Sequence, residues 1–551
     1  MSQNGLVSGV AALPEADKRL LKLFFAAALG ALGLGVLFGA STALARAGFV
    51  DLGPLAGYRA MSGHGVTIFF YWLYFAQAGL LLALAAAYGA PRAGFALRPL
   101  AASGVALMAA GLAASLYALY GAMPLLYDAP PELAREPSPA VAAFYAGYLA
   151  LSAGLFCVAA AAVATTLRPL ARGESWSVAS FASVAWAGLL MVTAIAAFTA
   201  FGPSLMWALG LGTMPTNYST AWHVLFHNMH YLPLMATVLL WYVLIETLTG
   251  VKSILGARFS KIVFASYLIL VPPTSLYHMF LEPDLAEPVR VVGSLLSLFI
   301  SVPTVLVFLV IVVSLEAHAR AQGAQGLFGW MRMLPWRNPA MSAIGFAAAN
   351  LALGGALSFV LIQEKLAPLL SDTFFVPGYF HFLTVGTVTL TFLAALVYAL
   401  PALTGRALGQ PGLLRWLPPL ATLGLVLFGT AGVTAGYLGV PRRVLDVSYA
   451  GDAPAAWGTL MSIVGVGGLL MTVALGLYVL VLALNLLPLK RGAGAAYPEV
   501  RWGGEVALDA RAWTGPLAIA VLLALMVVFS VGAFELMKAL PLEAIGGAAH
   551  H

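Results

Sequence analysis

Apolar runs about as long as a bilayer is thick recur along almost the whole chain, and they leave it few folds. A stretch of about 20 apolar residues is what an α-helix needs to cross the hydrocarbon core. Thirteen runs fit, at 20–45, 63–88, 98–122, 138–166, 178–202, 219–248, 262–281, 288–316, 340–362, 376–401, 414–436, 456–487 and 513–538. Spanning strands would be short and alternate in polarity, whereas these runs are apolar throughout. Of the 551 residues only 9% are charged and 62% are hydrophobic, against roughly a quarter charged in a soluble protein. The expected fold is an all-α integral membrane bundle of about 13 transmembrane helices. Residues 1–19 form an N-terminal tail, 20–538 a single bundle and 539–551 a short C-terminal tail. Ala, Leu and Gly dominate the runs, which suits close helix packing in lipid.

Orientation follows from Lys and Arg. If the N-terminus and every even connection share one side, that side takes all 27 Lys and Arg except eight. The eight are Arg46, Arg59, Arg135, Arg290, Lys365, Arg442, Arg443 and Lys538. The richer side is expected to be cytoplasmic, with the N-terminus inside and the C-terminus outside. The N-terminus shows no cleavable signal pattern, so the first helix is expected to stay. Membrane lipid is therefore the surrounding partner. The net charge of +6 is spread over short loops and is no nucleic-acid footprint. The single cysteine, Cys157, excludes an internal disulfide, a thiolate zinc site or an iron–sulfur cluster.

Six of the nine histidines lie inside these runs: His64, His223, His227, His230, His278 and His381. Histidine in hydrocarbon is costly and usually functional, and imidazole is a common ligand of haem iron and copper. With the orientation above, all six fall in the outer half of the bilayer, His64 at the outer end of its helix. His318, by contrast, reads as a loop residue. Two histidines on different helices at one depth, His64 and His381, can ligate one haem b from both faces, giving a low-spin electron carrier. Arg442 and Arg443 suit haem propionates or, alternatively, lipid headgroups. His223, His227 and His230 are spaced i, i+4, i+7 and share a helical stripe. Two of them with His278 make a candidate copper, iron or zinc site; otherwise they are a polar stripe facing a cavity. Ser294, Ser297, Ser301 and Thr304 share another face, which suits either packing or proton movement. Glu246 and Glu316, near inner helix ends, are read as admitting protons or meeting water. Asp128, Glu132, Glu136, Glu282, Asp284 and Glu287 are read as outer acidic residues that meet a basic cytochrome or solvent.

The chain resembles subunit I of the haem–copper oxidase superfamily, closest to the B-type oxygen reductases. The resemblance rests on HGV at His64, PxxxYHMFLEP around His278, ISVPT…VVSLE, FGWMRMLPWRNPA, VPGxFH at His381 and VPRR. It implies that His64 and His381 ligate the low-spin haem and that Arg442 and Arg443 hold its propionates. It implies further that His227 is the first copper ligand and Tyr231 the tyrosine that the family cross-links to it. Family members also receive electrons through a second subunit with a soluble electron-transfer domain, and a cytochrome or quinol is the expected redox partner.

Departures from the pattern are equally specific. The family's two adjacent copper histidines appear here as Tyr277-His278, and its His-x-His as Tyr379-Phe380-His381. The first histidine of that pair is the family's high-spin haem ligand. Ala367 and Ser371 stand where the family has acidic and histidine partners of the high-spin haem, and Val238 stands for another tyrosine. A tyrosinate at Tyr379 would favour ferric iron. The resemblance therefore implies a haem-b electron-transfer protein of a respiratory chain in a prokaryotic inner membrane, with an altered gas-reducing centre. The alternative is a terminal oxidase working with non-standard ligands, in which Tyr231 favours dioxygen over nitric oxide. A transporter is a third class, disfavoured because no discontinuous helices surround a midplane site.

Overall fold

A computed structural model describes residues 5–489, apart from 90, 122–125, 129, 135, 174, 217, 273–286 and 363–365. No β-strand occurs among the described residues. After α1 (Leu6–Ala11) and α2 (Glu15–Arg46) come α3 (Gly53–Gly65), a π-helical segment Val66–Trp72 and α4 (Leu73–Tyr88), which run on as one rod. Then follow α5 (Arg98–Gly121), α6 (Pro139–Leu167), α7 (Val178–Ala208), α8 (Tyr218–Thr249), α9 (Gly256–Leu270), α10 (Glu287–Ala321) and α11 (Pro339–Leu361). A second rod comprises α12 (Phe375–His381), a π-helical segment Phe382–Thr389 and α13 (Leu390–Thr404); α14 (Pro411–Tyr437) and α15 (Ala455–Leu486) complete the bundle.

Eleven of these helices or rods are long and apolar enough to cross a membrane. Of the thirteen expected runs, the one at 262–281 overlaps α9 and continues into residues outside the described ones. The run at 513–538, like the 539–551 tail, lies wholly outside them.

Between helices in lipid there is little hydrophobic drive, so close packing and interhelical hydrogen bonds must hold the bundle. Glycine pairs make the approach possible. A Cβ added at Gly111 would stand 2.5 Å from the Gly147 carbonyl oxygen, and one at Gly467 would stand 2.6 Å from that of Gly424. These contacts lock α5 to α6 and α14 to α15. Buried polar side chains bridge the remaining seams: Trp241 Nε1 donates to Thr391 Oγ1 at 2.7 Å, and Asn338 Nδ2 to Tyr398 Oη at 2.7 Å. In membrane proteins such bonds average about 0.6 kcal/mol each.

Two expectations change. The second span begins at Gly53, not near residue 63, so His64 lies well inside its rod rather than at the end. Polar residues such as Tyr58 and Arg59 disguised the first turns; Arg59 Nη2 in fact donates to the Tyr120 carbonyl at 2.9 Å. His318 is not in a loop: α10 runs on to Ala321, His318 is 4% exposed and its Nδ1 donates to the Ser314 carbonyl at 2.8 Å. Glu316 on the same turn is buried and accepts from Arg320 Nε at 2.6 Å. Within the N-terminal stretch 1–19, residues Leu6–Ala11 form α1. Leu6 and Val10 are buried, and a Cβ at Gly9 would stand 2.6 Å from Ala87.

Candidate functional site: a two-histidine cavity

His64 and His381 occupy equivalent places in the two rods. Each sits at the end of a short α-helix, and the chain then widens into a π-helical segment. Such i→i+5 segments are rare and concentrate at functional sites. The two segments are tied at their far ends by Trp72 Nε1 donating to Thr389 Oγ1 at 3.0 Å. The imidazole rings lie nearly parallel, 9° apart in plane, with centroids 6.1 Å apart.

Both rings are held by the same device. His64 Nδ1 bonds the Gly35 carbonyl at 2.8 Å and His381 Nδ1 the Pro377 carbonyl at 2.7 Å. A carbonyl only accepts, so each Nδ1 carries the proton and each Nε2 keeps its lone pair. Metal-bound histidines are usually oriented in this way. The seat for His64 depends on glycine: a Cβ at Gly39 would stand 2.7 Å from His64 Nδ1. His381 rests against Phe428, with ring centroids 4.5 Å apart.

Both imidazoles line a cavity of about 260 Å³ whose walls are otherwise mostly apolar, including Val36, Ile68, Phe69 and Leu475. Three arginines line it as well: Arg46, Arg442 and Arg443. Residues 372–374 position two of them. Phe374 N donates to the Val440 carbonyl at 2.7 Å, and Arg442 N to the Asp372 carbonyl at 2.9 Å. The turn that carries the arginines is thus fastened to the start of the helix that carries His381.

Arg442 pairs with Asp372 at 2.9 Å, and Arg443 with Asp128. Burial opposes the Arg443 charge, but Asp128, Tyr127 and Asp372 outweigh it and hold the guanidinium above its ordinary pKa. Arg46, only 4% exposed, donates to the Arg442 and Pro441 carbonyls at 2.6 and 2.7 Å and lies 4.7 Å above the Phe374 ring. Its Nε has no hydrogen-bond partner among the described residues. The role of Arg46 escaped the sequence because a cation ending an apolar run reads as a loop charge. Its place one turn after Thr42 on the inward face of α2 was the available signal.

The cavity suits a planar, largely apolar group with anionic substituents and a central metal. With a metal–nitrogen bond of about 2 Å on each side, as imidazole makes to zinc, two coaxial rings end up roughly 6 Å apart, close to the spacing here. The apolar walls fit a macrocycle, and the arginines at one end fit carboxylates.

The other candidates gather elsewhere. Tyr379 is two residues from His381 and so faces away from the cavity, packing beside Val360, Leu361 and Phe375. Tyr231 on α8 lies within electrostatic reach of Tyr379 and of Tyr267. Tyr267 Oη is in turn hydrogen-bonded to Thr304 Oγ1 at 2.7 Å. His223, His227 and His230 fall on the same continuous helix. Their side chains, with Tyr277 and His278 altogether, lie outside the described residues, as do the side chains of Ser294 and Ser297.

Comparison with known proteins agrees with this architecture. The family model for cytochrome c and quinol oxidase polypeptide I matches residues 19–470. Cytochrome c oxidase subunit 1 of Thermus thermophilus is 30% identical over 340 residues, 58% of this chain; the match spans 59% of that relative's length. The Corynebacterium glutamicum subunit is 29% identical over 119 residues, 21% of this chain and 20% of the relative. The fold resembles that of a haem–copper terminal oxidase dimer solved by cryo-EM, with a TM-score of 0.77 at 20% identity over 95% of this chain and 92% of the other. With most of its length inside the family model and its bundle superposing on that fold, the chain belongs to the cytochrome c and quinol oxidase polypeptide I family, subunit I of the haem–copper oxidases.

Proposed function

We propose that this subunit is a haem-b electron-transfer protein of a prokaryotic respiratory chain, of the B-type lineage, with an altered second centre. The observation that carries the reading is the pair of parallel imidazoles, each with its Nδ1 proton committed to a carbonyl, in a cavity ending in three arginines. A haem held there would supply a one-electron, six-coordinate carrier without an open position for gas. His64 and His381 would hold its iron, and Arg442 and Arg443 would bind its propionates. The two backbone carbonyls fix the imidazole tautomer and orientation, and the apolar walls of the cavity would exclude water from the group held there. Tyr127, whose ring lines the cavity, keeps its phenol protonated because burial raises its pKa, although the arginines partly offset this.

The second centre would be built around Tyr231 and Tyr379, with His227, His230, His223, Tyr277 and His278 as the altered metal site. Tyr379 in place of imidazole would disfavour ferrous haem. A second reading, a terminal oxidase reducing dioxygen with these ligands, draws support from the Tyr231–Tyr267–Thr304 neighbourhood. There α9 brings a phenol close to Tyr231 where Val238 on α8 offers none. Electrons would come from a cytochrome or quinol through a second subunit on the outer side. The 1–19, 20–538 and 539–551 divisions and the inside N-terminus belong to the same proposal.

The test is the haem and metal stoichiometry of the purified protein, with optical spectra reduced and reduced plus carbon monoxide. One low-spin haem b per chain, unchanged by carbon monoxide, is expected. A second haem that shifts with carbon monoxide would instead establish the oxidase reading, and absence of any low-spin haem would overturn both.

A further inference from the structure

The motif FGWMRMLPWRNPA, residues 328–340, takes no part in the histidine cavity. It lies in the connection from α10 to α11. Ser342 Oγ, on the first turn of α11, donates to the Arg415 carbonyl on the first turn of α14 at 2.9 Å, so the two helix starts stand side by side. From there α14 runs to Tyr437, shortly before Arg442 and Arg443. The connection therefore sits at the end of the bundle opposite the arginines of the cavity.

The sequence folds this connection into a fixed shape. Gly323 and Gly326 reverse the chain at φ +94° and +77°, a region open to glycine. Arg320, ion-paired with Glu316, donates to the Gly326 carbonyl at 3.2 Å and holds the turn against α10. A one-turn helix follows, Gly329–Arg332. Trp336 Nε1 closes it by donating to the Met331 carbonyl at 2.7 Å. The Trp336 ring fills a notch on α11, where a Cβ at Gly345 would collide with it. Leu334 is buried, and Asn338 Oδ1 caps α11 by accepting from Ala340 N at 2.9 Å.

With Leu334 and Trp336 packed inward, other apolar side chains are left outward. Phe328 is 64% exposed, and Leu327 and Met331 are exposed beside it. Across the Ser342–Arg415 bond, Trp416 is likewise 64% exposed and Leu413 is exposed. These residues lie in a connection and a helix start, not along the middle of a span, and an apolar patch of that kind marks an interaction surface. Charge identifies what covers it. Arg332 and Arg337 are exposed, and the Arg415 guanidinium stands 5.1 Å from the Trp416 ring centroid. Neither 317–338 nor 405–416 contains an Asp or Glu. Aromatic and aliphatic side chains interleaved with guanidiniums at the ends of spanning helices match the headgroup layer of a bilayer.

We propose that residues 327–337, together with Leu413–Trp416, form a preformed foot that binds anionic phospholipid. Leu327, Phe328 and Met331 enter the acyl boundary. Arg332, Arg337 and Arg415 hold headgroup phosphates, which a guanidinium meets with two parallel N–H donors. Because Arg320, Trp336 and Asn338 fix the foot in advance, little ordering opposes the binding.

The experiment places one fluorophore on the foot of the full-length protein. Phe328→Cys in a Cys157→Ser background is labelled with an environment-sensitive dye and reconstituted in phosphatidylcholine nanodiscs. Part of the lipid is then replaced by phosphatidylcholine or phosphatidylglycerol brominated near the headgroup end of its acyl chains, a contact quencher. The emission should be blue-shifted and quenched. Half-maximal quenching should need at least about fivefold less of the brominated phosphatidylglycerol, the worth of one basic residue near an anionic surface. Arg332→Gln, Arg337→Gln and Arg415→Gln together should make the two lipids equal while the label stays quenched. Should that triple variant not fold, salt decides: at about 1 M, where the Debye length is about 3 Å, the preference should vanish from the labelled parent. Equal quenching by both lipids in the parent, or a preference that survives loss of the arginines, overturns the anionic site. Water-like emission quenched by neither lipid shows a foot standing in water, and shielded emission quenched by neither shows protein lying on it. Either result overturns the proposal.

Discussion

His381 and Tyr379 sit on one seven-residue helix, two residues apart, and the surroundings of each differ in kind. On the His381 side every requirement of a ligand pair is in place. The rings are parallel, the tautomers are fixed by backbone carbonyls, and a glycine clears space for His64. On the Tyr379 side a phenol packs among Val360, Leu361 and Phe375, near a second phenol at Tyr231. One helix thus carries an imidazole on one face and a phenol in an apolar cluster on the other, because neighbouring helices build each face separately.

The comparison breaks most directly at the histidines. His64→Ala or His381→Ala should remove the low-spin haem altogether, read as loss of about one haem b per chain in a haemochrome assay. Gly39→Val should act through the same seat more weakly. Its branched side chain would push on His64 Nδ1, and disturbing a ligand's orientation typically costs about 10- to 100-fold in affinity. If haem content survives both histidine substitutions, the pair is structural and the cavity serves something else.

The opposite face is tested by gain. On the proposed reading, Tyr379→His would supply the imidazole of an intact second centre and should create a reduced haem that binds carbon monoxide, absent from the parent. A mutant as blind to carbon monoxide as the parent would show that more than one ligand has been lost. On the same proposed reading, Ala367 and Ser371 are then the next positions to change.

Much of this was legible in the sequence. Helix-length apolar runs fixed the class, and two of the six intramembrane histidines, His64 and His381, line the cavity. Pairing His64 with His381 needed only their motifs. Other features depend on tertiary contacts that periodicity does not encode. Polar residues such as Arg59 hid the first turns of the second span, so His64 was placed too near an end. Asp128 and His318 looked like solvated residues because a loop or helix terminus is usually wet. The fold buries both, Asp128 in a segment held at the Tyr127 and Asp128 carbonyls by Tyr148 and Tyr218, His318 by a longer α10. Arg46 reads as an interfacial charge until the 440–443 turn is brought over it.

Arg442 and Arg443 sharpen the comparison at smaller scale, since adjacent, chemically identical residues are indistinguishable in sequence. Their partners differ: Asp372 has an 84% exposed side chain, whereas that of Asp128 is 11% exposed. Removing Arg442 leaves a carboxylate that water can solvate, and an exposed pair is worth about 0–1 kcal/mol. Removing Arg443 strands a carboxylate that water reaches poorly, at a cost of about 1–3 kcal/mol. Arg443→Gln should therefore lower the thermal unfolding midpoint in detergent clearly more than Arg442→Gln. Adding Asp128→Asn to Arg443→Gln should recover much of the loss, since a neutral amide no longer needs a cation. Equal losses in the two single variants, or no recovery in the double, would mean that Asp128 is solvated after all.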